Sequence, residues 1–415
     1  MRAVFLTQYY PPEVGAPQTR IAALAHGLGT RGVEVTVHSC FPHYPDGEIR
    51  APFRNGPLRR GREDGVRVVR SAVYPAPNRG FARRLAGHLS FAASALATAP
   101  ATGPADVVVV ETPPLFLAGA AIPYARSKRA GLVVNVADLW PDSAIELGAL
   151  RSPAAIRAAR MVERAAYRKA AAIACPTEGI VAALEKRPES AGKAALMRPA
   201  VDLARFDPGA RSTARKGSEP SAEEDRPLRV LYAGTIGMAH GVGTLFDAAE
   251  AIEGVGGSPL AVTIAGDGAE APALRDRLAG GRPTGVQMLG VVPSERVPDL
   301  YEESDVAVVL LRDRPIFHGA LPTKMLEAMA AGRPVILAAR GEAASLIEAT
   351  GAGLVVEPEN PRSLAEALRA LAADPERRAR LGAAGREAVE REFGRKAWLD
   401  RWHELLVRAT SPATA

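Results

Sequence analysis

The sequence predicts an α/β protein of two successive doubly wound units, each a parallel sheet with helices on both faces. Three observations predict it. Short apolar strands alternate with helical stretches along almost the whole chain. Strands such as "DVVVVE" and "GLVVNVAD" are continuous apolar runs, the pattern of strands buried on both faces. The alternation stops once, in a polar Gly-, Ser- and Pro-rich stretch over residues 208–229, and then restarts. A chain of 415 residues is also long for a single core.

The elements follow in order. "RAVFLTQYY" reads as a buried first strand: its apolar run is short and passes directly into Tyr-Tyr-Pro-Pro, unlike a secretory leader. "PQTRIAALAHGLGTRG" is a helix, with Pro17 suited to its first turn and glycines at its end. "VEVTVHSC", "DVVVVE", "GLVVNVAD" and "AAIACPT" continue the first sheet, with "SPAAIRAARMVERAAYRKA" among its helices. After the polar stretch, "VLYAG", "LAVTIAGDG", "VQMLGVV", "VAVVLL", "RPVILAA" and "GLVVEP" form the second sheet. "VGTLFDAAEAI", "VPDLYEES", "TKMLEAMAAG" and "SLAEALRALAA" are the helices between them. The last helix, "KAWLDRWHELLVRA", has an apolar face at Trp398, Trp402, Leu405 and Leu406 and is expected to return to the first unit. The expected division is 1–198 with 395–415, and 199–394.

Composition narrows the function. No run of about 18 apolar residues is present, so no transmembrane helix is expected. Cys40 and Cys175 are the only cysteines, which excludes a disulfide framework and a cysteine-based metal site. A cytoplasmic protein is expected. The net charge is +6, and ten arginines fall between Arg50 and Arg84 against only Glu63 and Asp64. That bias suits nucleic acid, an anionic membrane surface, a phosphorylated ligand or simply a solvated face. Few aromatics interleave the arginines and no recognised module is present, so nucleic acid is not expected. Residues 79–97 place Phe81, Leu85, Leu89 and Leu96 at helical spacing beside Arg79, Arg83 and Arg84. A peripheral membrane contact and an ordinary core-facing helix both fit that pattern.

Three loops could hold phosphate, because a helix N-terminus offers free N–H groups and a favourable dipole. They are "PPEVGAPQTR" with Gly15 and Ala16, "AGTIGMAHGVGTL" with Gly234, Gly237, Gly241 and Gly243, and "GALPTKMLE" with Gly319 and Pro322. Each alone is more often just a tight turn. None matches the dinucleotide or P-loop fingerprints. The third loop says more. A diphosphate is expected on the N–H groups of residues 323–325, with Lys324 adding a charge-assisted bond. Glu327, a turn deeper, would be repelled by the phosphates but could accept hydrogen bonds from vicinal ribose hydroxyls. The pair suits a nucleoside diphosphate; a dipole-favoured glutamate with a surface lysine is the plainer reading.

"LPTKMLEAMAAGRPVI" resembles the donor-site signature of the retaining family 4 glycosyltransferases, which have the GT-B fold: two Rossmann-like domains facing across a cleft. "YAGTIGMAHGVGTLFDAA", "TIAGDGAE", "LGVVPSERVPDLYEESDVAVV" and "GAGLVVEPENPRSLAEAL" are similar to that family's other donor-domain segments. "QYYPPEVGAPQTR", "FPHYPDGEI", "ETPPLF" and "DLWPDS" resemble a fucosamine-transferase-like bacterial subgroup.

The resemblance implies transfer of a sugar from a UDP- or GDP-linked donor with retention, and no metal or other cofactor. Donor contacts are implied at Gly15, Ala16, Gly234, Thr235, Gly237, Gly241, Gly290, Val291, Gly319, Leu321, Pro322, Thr323, Lys324 and Glu327. Lys324, Glu327, His240 and Asp138 are implied as catalytic, with Asp138 equally readable as a strand-end cap. His43, Tyr44, Asp46, Asn78, Arg79 and Trp140 are implied on the acceptor side, for a lipid-linked glycan precursor or a small molecule, with "FPHYPDG" equally readable as a plain turn. There are two departures. The family carries two glutamates with seven residues between them; Glu327 is the second, and here Gly319 stands in place of the first. The lysine usual in the second loop is His240, so Lys324 is expected to supply the missing charge. A GT-B nucleotide-sugar epimerase and a non-enzymatic nucleotide-sugar binding protein are the competing readings.

Overall fold

The computed structural model describes residues 1–13, 15–77, 81–146, 148–207, 226–254 and 260–410. Asn78, Arg79 and most of the polar stretch over 208–229 lie outside the described residues. The chain divides into two compact units, residues 1–198 with 398–415, and residues 199–397.

The first unit is an eight-stranded sheet: β1 (Arg2–Leu6), β2 (Glu34–Cys40), β3 (Leu58–Glu63), β4 (Val66–Ser71), β5 (Val107–Thr112), β6 (Gly131–Val136), β7 (Ala172–Cys175) and β8 (Ala194–Leu196). Their order is β3-β4-β2-β1-β5-β6-β7-β8, and every pairing but β3–β4 is parallel. β5 is buried at all six positions. β-branched valines suit such a strand, because they pack on both pleated faces. The sheet core is closed by Phe91, Tyr124 and Tyr167 from three helices. Side-chain caps start two of this unit's helices, Ser152 on the Ala155 N–H and Thr177 on the Ile180 N–H.

The helix Phe81–Ala97 turns Phe91, Ala92 and Ala95 into this core. Leu96 packs against the core's edge, Leu85 is half-buried and Leu89 stays 46% exposed. The apolar face expected through Leu85 and Leu89 is therefore not the buried one. The final helix, Arg395–Thr410, buries Trp398, Trp402, Leu405 and Leu406. Its residues from 398 on belong to the first unit, where bare glycines receive it: a Cβ on Gly27 would lie 2.5 Å from the Leu399 side chain.

The second unit is a six-stranded, all-parallel sheet: β9 (Leu228–Ala233), β10 (Leu260–Ala265), β11 (Val286–Gly290), β12 (Val306–Leu310), β13 (Val335–Ala338) and β14 (Gly353–Val356). Its order is β11-β10-β9-β12-β13-β14. The chain thus winds outward from β9 to one edge, then restarts beside β9 at β12 and winds to the other. In such sheets the crevice for a ligand opens where the winding reverses, beyond the carboxyl ends of the two central strands. The amino ends of β9 and β12 are joined by Asp305, which takes Arg226 at 2.6 and 2.9 Å and the Arg229 N–H at 2.9 Å. These partners overcome the cost of burial and hold its carboxyl well below the usual range. The unit's two ends meet: the Val201 N–H donates to the Phe393 carbonyl at 3.1 Å. Among the described residues no helix is long and apolar enough to cross a membrane.

Candidate functional site

The second unit gathers its polar chemistry at the reversal point between β9 and β12. Beyond β9 the chain runs through Gly234, with φ 145°. The Gly234 N–H bonds the Ala265 carbonyl at 2.8 Å, and a Cβ on Gly266 would sit 1.9 Å from the Gly234 oxygen. Only bare backbone lets these two strand exits touch.

Beyond β12 a loop leads to the helix Thr323–Ala330. Pro322 precedes it and no side chain caps it. The Met325 N–H is already bonded to the Pro322 carbonyl at 3.0 Å, which corrects the expectation of a free donor there; the uncapped positions are Thr323 and Lys324. Met325, Leu326, Ala328 and Met329 turn into the core, which orients the polar positions outward.

Lys324 is half-buried. Its ammonium donates to the Tyr232 hydroxyl at 2.9 Å and stands 4.4 Å from that ring's centroid. The Tyr301 hydroxyl donates to the Lys324 carbonyl at 3.0 Å. Burial pushes the ammonium down to about 7, against the opposing pull of Glu327. Glu327 is also half-buried, and burial raises its carboxyl to about 7, against Arg205 and Lys324.

His240 lies in the loop after β9. Its Nδ1 is buried and has no hydrogen-bond partner among the described residues. Burial, then the Lys324 charge, press the ring down to about 3, so it is neutral. Its loop is clamped by Arg312, which donates to the Met238 carbonyl at 2.7 Å, to Glu270 at 2.8 Å and to Glu359 at 2.9 Å. Gly241, at φ 61°, passes beside the Arg312 side chain.

The other expected donor positions take simpler places. Thr235 and Thr323 are exposed, Gly237 and Pro322 are half-buried, and Leu321 packs against the core beside the helix it precedes. Gly319 follows His318, whose Nε2 meets Asp313 at 3.1 Å while Arg340 bonds the same carboxylate at 2.9 Å. Gly290 accepts the Gly266 N–H at 2.7 Å, and Val291 is 71% exposed.

In the first unit, Gly15 precedes the helix Ala16–Gly29, which no side chain caps. A Cβ on Gly15 would lie 2.5 Å from the Gln18 Oε1, a buried oxygen without a partner among the described residues. Glu13 is buried and accepts the His43 and Tyr44 N–H groups at 2.7 and 2.8 Å. His43 is turned inward, its Nδ1 on the Phe41 carbonyl at 3.0 Å. His43, implied on the acceptor side, is thus 4% exposed, in a loop pinned from beneath by Glu13. Tyr44 is half-buried with its ring edge-on to Tyr9, and Asp46 is held by Arg50 and bonds the Glu48 N–H.

Asp138 accepts the Ser143 hydroxyl at 2.7 Å, and burial raises its carboxyl. The bond runs side chain to side chain, from the short helix Asp142–Glu146 back to a residue beyond β6. Trp140 is half-buried, edge-on to Phe116. Nearby in the sheet, Glu111 is fully enclosed between Arg20 and the Asn135 amide, the latter at 2.5 Å. Glu13, Arg20, Glu111, Tyr232, Tyr301, Arg205 and Arg312 were not singled out in the sequence. Glu13 and Arg20 lie inside "PPEVGAPQTR", Glu111 in "ETPPLF", Tyr232 in "YAGTIGMAHGVGTLFDAA" and Tyr301 in "LGVVPSERVPDLYEESDVAVV", while Arg205 and Arg312 fall outside every motif.

Two doubly wound units, one following the other, make this a GT-B protein. Sucrose-phosphate synthase from Thermosynechococcus elongatus shares the fold with TM-score 0.75 at 19% identity, covering 98% of this chain and 99% of that one. HepE from Anabaena, solved in complex with UDP-glucose, does so with TM-score 0.71 at 17% identity, covering 98% and 99%. Residues 15–200 match the family described as "Glycosyl transferase 4-like domain", and residues 215–388 match "Glycosyl transferases group 1". D-inositol 3-phosphate glycosyltransferase from Xylanimonas cellulosilytica is 32% identical over 209 residues, 47% of this chain and 46% of that protein. The chain spans about half the length of the curated relatives it matches. It belongs to the GT-B glycosyltransferases.

Proposed function

We propose that this protein is a retaining, metal-independent glycosyltransferase that moves a sugar from a nucleoside-diphosphate sugar to an acceptor. One observation carries the reading: Lys324 and Glu327 stand at an uncapped helix start, at the winding reversal of the second unit, with the Lys324 ammonium beside bare Gly234. In this reading the uncapped N–H groups and Lys324 take the diphosphate as it departs, and Glu327 accepts the ribose hydroxyls. Residues 234–241, 290–291 and 319–323 frame the donor. By the motifs that carry them, Gly15 and Ala16 are proposed for donor phosphate, and His43, Tyr44, Asp46, Asn78, Arg79, Asp138 and Trp140 for the acceptor.

The motif run supports a place in the fucosamine-transferase-like subgroup, acting in the cytoplasm on a lipid-linked glycan precursor or a small molecule. Exposed Arg83, Arg84 and Leu89 support a peripheral contact with the inner membrane face. Because HepE was solved with UDP-glucose, uridine donors are the first to try. The test is a thermal-shift panel of nucleoside diphosphates and nucleotide sugars, followed by turnover with candidate acceptors and NMR of the product's anomeric centre. An inverted product overturns retention. Sugar release or epimerisation without an acceptor favours the epimerase reading. No stabilisation by any nucleotide overturns the proposal.

A further inference from the structure

We propose that Tyr232 is the positioning residue that aims the Lys324 ammonium at the donor diphosphate, and that the ammonium lies in the space a side chain on Gly234 would take. The inference rests on the reading of Lys324 as the diphosphate's cation and adds the device that places it.

A lysine on a helix has four flexible bonds and a strongly hydrated head, and left alone it points into solvent. Lys324 does not. Its ammonium is held on the Tyr232 hydroxyl at 2.9 Å and over the same ring at 4.4 Å. Tyr232 is fully buried in β9 and cannot follow a wandering partner. Its hydroxyl donates to the Thr235 carbonyl at 2.7 Å, so a lone pair, not the proton, faces the ammonium. The ring face adds a cation–π attraction. A Cβ on Gly234 would fall 2.8 Å from Nζ, so any side chain there would displace the head. From the other side, Tyr301 fixes the Lys324 backbone. Two tyrosines thus define both ends of one lysine, and the charge is delivered at the carboxyl end of β9.

The experiment measures the Kd of UDP, or of the tightest binder among UDP, GDP, ADP and dTDP, across neutral and alkaline pH. Wild type, Tyr232→Phe and Lys324→Met are compared, with Tm alongside. The charged and titratable groups facing this site are Glu327 on the same helix, Tyr232 from β9, His240 from its loop, Tyr301 and Arg205 beside Glu327, and Glu270 beside Tyr232. Tyr232→Phe keeps the ring and removes the acceptor. We expect about three- to tenfold weaker binding near neutrality, the loss of one hydrogen bond to a charged group. The alkaline loss of affinity should begin at lower pH, because the ammonium has lost a stabilising acceptor.

Wild-type affinity and pH dependence in Tyr232→Phe, with binding weakened in Lys324→Met, overturn the inference alone. A lowered Tm with an unmoved alkaline limb also overturns it, since that is a structural role. Full binding in Lys324→Met, or no diphosphate bound by wild type, overturns the underlying reading and this inference with it. Should Tyr232→Phe not fold, Gly234→Ala decides: affinity unchanged despite the added methyl overturns the inference, a lowered Tm with an unmoved alkaline limb is the backbone strain of φ 145° and also overturns it, and a loss with an early alkaline limb supports it.

Discussion

Arg312 and Glu270 meet at 2.8 Å, and through this pair the loop after β12 holds the loop after β10. The same guanidinium reaches Glu359 and the Met238 carbonyl, so one side chain ties together the exits of four strands. Arg312→Ala should lower Tm by about 3 °C or more, as expected for roughly 1 kcal/mol in a unit of this size. Nucleotide affinity should fall with it, because the His240 loop is released. Glu270→Gln, which keeps one acceptor oxygen, should cost less. Equal Tm values for all three proteins in a thermal melt would show the clamp to be dispensable.

Glu327→Ala should weaken nucleotide-sugar binding by about tenfold or more, since the ribose hydroxyls would lose their acceptor. Glu327→Gln should be milder. Steady-state kinetics with the native donor check both, and an alanine variant with wild-type kcat/KM removes the ribose assignment.

Activity should survive EDTA. The diphosphate meets Lys324 and backbone N–H groups rather than a divalent ion in this reading. Loss of turnover in chelator, restored by magnesium or manganese, would remove the metal-free mechanism.

Lys324→Ala should harm turnover more than His240→Ala. The ring is neutral at working pH because burial and the nearby ammonium press it down to about 3. It cannot replace the lysine's charge. Losing the lysine should cut kcat by about 100-fold, the scale of one lost charge-stabilising donor, with a smaller effect on donor affinity. If His240→Ala proves the more damaging, the histidine and not the lysine compensates for the family's missing cation.

Nucleotide binding should take up protons on the alkaline side of neutrality. Burial lowers Lys324 to about 7, so in the free protein it is largely neutral above that pH. A bound diphosphate favours the ammonium, so a proton must be gained and affinity must fall as pH rises. Calorimetry in two buffers of different ionisation enthalpy, at about pH 8, measures the uptake by linkage. Lys324→Met should abolish it.

Both sheets were legible because their strands are apolar runs separated by helical periods. The hairpin β3–β4 was not. "LRRGRE" is almost wholly exposed and has no alternating face, and "VRVVRS" hides Arg70 at 1% exposure. Arg70 is tolerable there because Glu63 and the Cys40 carbonyl satisfy it, partners that no local pattern reveals. Several of the arginines read as a charge bias are therefore strand residues. In the site, Lys324 and Glu327 were legible because helix chemistry is local. Tyr232, 92 positions away from Lys324, was not, since only the sheet brings it there. The burial of His43 was not legible, because its partner is a carboxylate thirty residues upstream of the turn "FPHYPDG".

The second unit begins and finishes at one place, where Val201 and Gly394 form a bridge, and the chain then resumes the first unit at Trp398. It is in effect an insertion, entered and left through adjacent strands of backbone. Such a segment can be exchanged as a cassette between related chains without altering either terminus of the host. In the proposed function, a library that swaps residues 199–397 while keeping the rest tests whether nucleotide preference travels with that segment.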